Sequence, residues 1–288
     1  MVDRHGQQLS LATVPGGSDT VCHDAVCDIY RDIAAEAGIP FEREPRRIFQ
    51  GVLSTHQLTA PGPKPAIVPD FQVDCAMRPA ERFGQSRARP RGARLPSTRL
   101  NCDVKTSHGG GHIYRETQRA RDQQAGGVAQ RAGSVWPAYL RHARQMDRAR
   151  VAAGAPGATA VQDRLRFYGE VRALVHGQYA EASQDVHDFL STAADAIAQR
   201  RWAALGARTP DEARGFVMAR LRRTMGVRVG FAMARHRISR VPYIGIRRGA
   251  VIRPRAPHAP LVGIGVGAAD FLGFIEFERR RGPLELRA

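Results

Sequence analysis

Residues 67–74 read IVPDFQVD, and residues 100–106 read LNCDVKT. Apolar and polar residues alternate in both runs, the period of an extended strand with one face against a core. In the first run the alternation sets Ile67, Phe71 and Val73 on one face and Asp70, Gln72 and Asp74 on the other. In the second, Leu100, Cys102 and Val104 face the core, while Asp103 and Lys105 project together. Each strand carries an acid, and the second adds a base on the same side.

Outward from these strands, residues 23–38 (HDAVCDIYRDIAAEAG) place Val26, Ile29, Ile33 and Ala37 at helical spacing, with Gly38 as the stop. Residues 39–49 and 66–77, separated by a Pro-rich break at 60–65, read as two short strands and a turn. Residues 78–99 are rich in Arg, Pro and Gly and read as a loop or long hairpin tip. From Val128 a helix is expected, with Val128, Ala132, Val135, Tyr139, Ala143 and Met146 on one face and Arg131, Arg141, Arg144 and Arg148 on the rest. Pro137 is expected to begin or kink a turn. Residues 164–177 combine a helical start with a strand-like run at 171–175, and the pattern does not choose between them.

Two further helices follow. Ser183 is the expected N-cap of the first, with Val186, Phe189, Leu190, Ala193, Ile197 and Trp202 inward. Thr209-Pro210-Asp211-Glu212 opens the second, which should close before Gly226. The order predicts an α/β class fold: an α-β-β-β-α-β core with a mixed sheet, plus an α-helical C-terminal extension. The expected divisions are a tail at 1–19, the α/β domain at 20–205, a helical extension at 206–244 and a basic, Gly-rich tail at 245–288.

The chain of 288 residues has 44 Lys+Arg against 27 Asp+Glu, a formal net charge of +17, which is the balance of a polyanion binder. Cys22, Cys27, Cys75 and Cys102 form no CxxC pair and read as isolated reduced thiols of an intracellular protein, nuclear or cytoplasmic, in preference to a zinc site. No signal-peptide core opens the chain, and the apolar run 260–277 is interrupted by glycines and Asp270, so no membrane association is expected. No Ser/His/Asp set with supporting context points to ester or peptide hydrolysis.

Phosphodiester hydrolysis needs a divalent ion on hard oxygen ligands, an activated water, and neutralisation of charge on the phosphate. Asp70 and Asp103 on neighbouring strands offer carboxylates, the Val104 carbonyl offers a third oxygen, and Lys105 can orient the water and offset charge. Pro69-Asp70 followed by Asp103-Val104-Lys105, with a helix ahead and another behind, resembles the PD-(D/E)xK, or restriction-endonuclease-like, nuclease superfamily. The resemblance covers roughly residues 20–205, and the wider spacing is similar to nuclease-like segments of retroelement reading frames. It implies a Mg²⁺- or Mn²⁺-dependent deoxyribonuclease of mobile-element origin acting on DNA, or on an RNA–DNA hybrid, with a homodimer among the assemblies such a fold adopts. It also implies a third acid near the first helix or strand. Glu36 and Glu44 are the candidates, and Glu44 is preferred because it leads into the sheet.

His23 reads as a helix-start residue with phosphate contact as the alternative, and His187 as a helix-face residue. His108 and His112 suit a loop or a DNA contact equally, and Tyr114 and Tyr139 are too few for base stacking. Two other functional readings stand beside the nuclease: a catalytically inactive basic nucleic-acid-binding protein, and a degenerate fragment of a polyprotein.

Overall fold

Helix α1, Ser18–Ala37, covers the stretch whose apolar spacing predicts it but begins five residues earlier, so His23 lies within it and not at its start; it ends at Gly38, whose φ of 60° lies in the left-handed region that glycine tolerates. The computed structural model describes residues 18–54, 56, 58, 65–74, 99–106, 118–177 and 181–238. The chain divides into two units, Met1–Ile244 and Gly245–Ala288, and all described residues belong to the first. The Arg-rich run up to residue 98, His108, His112, Tyr114, most of the expected N-terminal tail and the expected Gly-rich tail lie outside the described residues.

Four strands make one mixed sheet: β1, Phe41–Arg43; β2, Phe71–Asp74; β3, Arg99–Thr106; and β4, Arg172–His176, in the order β1-β2-β3-β4. The first three pair antiparallel, with Phe71 opposite Cys102. β4 lies parallel to β3, with Asp103 beside Ala173 and Lys105 beside Val175. A parallel pair needs a long crossover, supplied here by α2, Gln118–Ala152, and α3, Ala160–Phe167. Residues 164–177 therefore resolve into the end of a helix and a strand.

The alternation along β3 sends its side chains to two different cores. Phe71, Val73, Leu100, Cys102 and Val104 pack against α1, α4 (Gln184–Arg201) and α5 (Pro210–Ile238). Ala173 and Val175 join Val135, Tyr139 and Ala143 of α2 and Val161 and Leu165 of α3 on the other side. A sheet with helices on both faces buries both sets, so the polar face of β3 is enclosed as well. The fold is mixed α/β, as expected.

Four local readings are corrected. Ile67 joins the α2 side and not Phe71 and Val73, because residues 66–70 form a turn and strand alternation begins only at Phe71. α2 continues through Pro137, since buried Val135 and Tyr139 flank it and their packing outweighs one lost backbone bond. α5 runs past Gly226 to Ile238 because Leu221, Met225, Val229 and Met233 bury at every fourth position. Ser183 precedes α4 but makes no side-chain cap; its hydroxyl donates to the Ala173 carbonyl at 2.6 Å and accepts from the Val175 amide at 3.1 Å, closing the outer edge of β4. The Thr209 cap holds, with the Glu212 amide 3.2 Å from its hydroxyl.

Candidate functional site

Asp70 sits at the last turn position before β2, and its main chain is pinned from both sides. Its amide donates to the Cys102 carbonyl at 3.0 Å, and its carbonyl accepts from the Glu44 amide at 2.8 Å. The preceding Pro69 has no amide to leave unpaired where the ladder ends. The Asp70 side chain is 1% exposed; its Oδ2 accepts the Val104 amide at 2.5 Å and lies 2.9 Å from His23 Nε2 of α1. A buried carboxylate is stable only with such partners.

Asp103 is 2% exposed, in the middle of β3 and under α2. Its Oδ1 accepts from the Tyr139 hydroxyl at 2.8 Å, and its Oδ2 lies 2.8 Å from Lys105 Nζ. Burial and the negative charges of Asp103 and Asp70 push the Tyr139 hydroxyl well above its ordinary range, so it stays a neutral donor. Lys105 is half-buried and keeps contact with solvent. The turn before β2 and strand β3 thus bring Asp70 and Asp103-Val104-Lys105 side by side, joined directly through the Val104 amide.

The Glu44 backbone touches Asp70, but its carboxylate pairs with Arg46 at 3.1 Å. Glu44 holds a φ of 44°, a conformation that non-glycine residues adopt at a cost and that clusters at functional sites. Glu36 instead pairs with Arg220 of α5. Tyr139 faces inward, where no base can stack on it. His187 lies on α4, half-buried, with burial and Arg222 holding its pKa below the usual histidine value.

His23 has the opposite tendency. Burial lowers its pKa, but the hydrogen bond to Asp70, the contact with Cys27 and the charges of both raise it to about 10, so at neutral pH an imidazolium faces the Asp70 carboxylate. Cys27 Sγ lies 3.8 Å from His23 Nε2, and Asp24 Oδ1 lies 3.4 Å from its Nδ1. The donor atoms of His23, Cys27 and Asp70 all fall within 4.8 Å of one another, so the three can hold a metal ion. Sequence reading separates them: His23 as a helix-start residue, Cys27 as an isolated thiol. The signal that unites them is their i,i+4 spacing, which puts both on one side of α1. Tyr139 carries no such signal, being one apolar-stripe residue among several.

His176 is a further buried polar group, hydrogen-bonded through Nε2 to the Tyr30 hydroxyl at 2.7 Å. Burial, with a smaller contribution from the charge of His187, lowers its pKa to about 4. It is therefore neutral at physiological pH, with Nε2 and the Tyr30 hydroxyl sharing one hydrogen bond.

No protein-family model matches the chain, and no curated protein and no solved structure is significantly similar to it. Among the described residues, no helix is long and apolar enough to cross a membrane.

Proposed function

We propose that the protein is a metal-dependent endonuclease-like enzyme that hydrolyses DNA phosphodiester bonds, with Asp70, Asp103 and Lys105 as its working residues. The observation that carries this reading is the Val104 amide on the Asp70 carboxylate, which ties the Pro-Asp turn to the Asp-Val-Lys strand. A strand residue presents its N–H and C=O to the same edge, so the Val104 carbonyl is directed toward the Asp70 side. Two carboxylates and a carbonyl are hard oxygen donors that suit Mg²⁺ or Mn²⁺. When bound, such an ion supplies charge stabilisation on the phosphate and lowers the pKa of a coordinated water.

The chain's own groups do the rest. Lys105, half-exposed at the end of the pair, can meet a phosphate oxygen while Asp103 holds its ammonium in place. Lys105 and Lys64 are the two lysines among 44 basic residues. A compact ammonium is a different instrument from the planar guanidinium used almost everywhere else. Tyr139, as a neutral donor, fixes the rotamer of Asp103. Arg131, Arg141, Arg144 and Arg148 are exposed on α2, the helix that covers Asp103, and make no ion pair among the described residues. By contrast Arg43, Arg214, Arg220 and Arg228 are paired with acids. The uncompensated arginines on α2 suit a phosphate backbone.

The test is nicking of supercoiled plasmid by the purified protein in Mg²⁺ or Mn²⁺, beside Asp70→Asn, Asp103→Asn and Lys105→Gln. Cleavage by the wild type and none by the variants supports the reading. Binding without cleavage by all four proteins overturns it. That outcome would leave the second reading, a catalytically inactive DNA-binding protein. One observation favours it: both carboxylates are buried and already engaged, by His23 and Val104 in one case and by Tyr139 and Lys105 in the other.

A further inference from the structure

The hard-oxygen set above ignores half of what surrounds Asp70. On its α1 side stand an imidazole and a thiol, which are poor ligands for Mg²⁺ and good ones for zinc-class ions. We propose that His23, Cys27 and Asp70 form a binding site for a borderline-soft divalent cation of the zinc class.

Spacing is the first argument. Around a tetrahedral zinc ion, nitrogen, oxygen and thiolate ligands at their usual bond lengths stand about 3.3–3.6 Å from one another. Here His23 Nε2 is 2.9 Å from Asp70 Oδ2 and 3.8 Å from Cys27 Sγ, and all three donors lie within 4.8 Å. Shifts of a few tenths of an ångström bring both His23 distances to these values, and the Cys27–Asp70 separation, within 4.8 Å, closes by about 1 Å at most. One helical turn of α1 carries two of the ligands, and Asp70, pinned by its backbone, supplies the third from the sheet.

The outer partners are the second argument. A metal-bound histidine ordinarily directs its other ring nitrogen to a carboxylate or carbonyl, which fixes the ring and its tautomer. Asp24 Oδ1 stands 3.4 Å from His23 Nδ1, and Arg43 in turn holds Asp24. The Val104 amide fixes the carboxylate ligand in the same way. Burial is the third. Cys27 and Asp70 are enclosed, whereas the His23 side chain is 30% exposed, so it leaves a path for the ion and for a water as fourth ligand.

The site shares Asp70 with the nuclease reading but does not depend on that reading, and its test uses no DNA. The full chain is stripped with a chelator and titrated with Zn²⁺ by equilibrium dialysis, then with Co²⁺ as an optical probe. The expected result is one equivalent of zinc that excess Mg²⁺ does not displace, and a thiolate-to-cobalt charge-transfer band. His23→Asn and Cys27→Ser should each weaken zinc binding by about a hundredfold or more, since even outer partners are worth ~10–100-fold. Cys22→Ser and Cys75→Ser should leave it unchanged. Absence of stoichiometric zinc, or of the cobalt band in the wild type, overturns the proposal, as does retention of zinc by both ligand variants. If Cys27→Ser fails to fold, the wild-type cobalt band and its loss in the half-exposed His23→Asn variant decide the matter.

Discussion

The amide of Val104 donates to the carboxylate of Asp70 at 2.5 Å, so the residue between Asp103 and Lys105 is held by the acid of the neighbouring turn. Asp70 thereby holds the fold together in addition to the chemistry proposed for it. Asp70→Ala leaves the Val104 amide without its acceptor and His23 without its anion. A buried donor left unsatisfied costs about 1–3 kcal/mol, and a buried charge pair broken on one side costs more. The expected loss is about 3 kcal/mol, read from urea unfolding; Asp70→Asn, which keeps an acceptor for Val104, should lose less. Equal stability of Asp70→Ala and wild type would refute the described geometry.

Lys105 gives a cleaner separation of activity from stability. Lys105 reaches solvent and Gln keeps an N–H donor for the buried Asp103 carboxylate, so Lys105→Gln should cost about 1–3 kcal/mol in urea unfolding, while plasmid nicking falls by roughly 10²-fold or more. Lys105→Arg keeps the charge and should restore only part of the rate, because a planar guanidinium does not match the compact ammonium in size and donor geometry.

Tyr139 tests how firmly Asp103 is set. Tyr139→Phe deletes a donor to a buried carboxylate, at about 1–3 kcal/mol. Calorimetry should show that loss. Nicking should fall as well, with its metal-concentration dependence shifted, since Asp103 is freed to change rotamer. A loss of stability with unchanged nicking would make Tyr139 a packing residue only.

Acid sensitivity should trace in part to His176. Its folded-state pKa of about 4 lies below the unfolded value of 6.5, so the neutral form is the one the fold stabilises. That contribution is complete above pH 6.5 and is lost as pH falls toward 4, to a limit on the order of 3 kcal/mol. The groups around it are Tyr30, which bonds its Nε2, and His187, whose charge opposes its protonation. The stability gap between wild type and His176→Gln should be wide at pH 7 and narrow near pH 4.5. A gap independent of pH would sink this assignment.

The arginines of α2 should announce themselves in salt. Each phosphate contact to duplex DNA adds about 0.9 to the slope of log affinity against log salt. Arg141→Ala combined with Arg144→Ala should lower the slope by up to about 2. Both are exposed, so thermal unfolding should be unchanged. An unaltered slope in filter binding would remove these arginines from the proposed DNA contact.

The sequence by itself determined the elements whose burial follows one periodic stripe. α1, the strand run through Phe71 and Val73, β3, the Val128–Met146 face of α2, and α4 are all legible because apolar residues recur at the spacing of a helix or strand. It also placed Asp103 on a strand, and set Asp70 on the neighbouring one, where the structure has it in the turn just before that strand. It did not determine what those acids touch. Alternation shows that Asp103 and Lys105 leave the Val104 face, but both faces of a helix-covered sheet are buried, so the polar face is enclosed and needs Tyr139 as a donor. The joining of His23 and Cys27 to Asp70 spans more than 40 residues of sequence and depends on how α1 crosses the sheet. Pro137 and Gly226 carry local signals to stop a helix, and the buried neighbours on each side override them. Propensity is a matter of about 1 kcal/mol per residue for glycine and about 3 for proline, and a helix face packed along its length outweighs both. Local chemistry set the elements; which side chains meet in the interior was decided by the packing of α1 and α2 on opposite faces of one sheet.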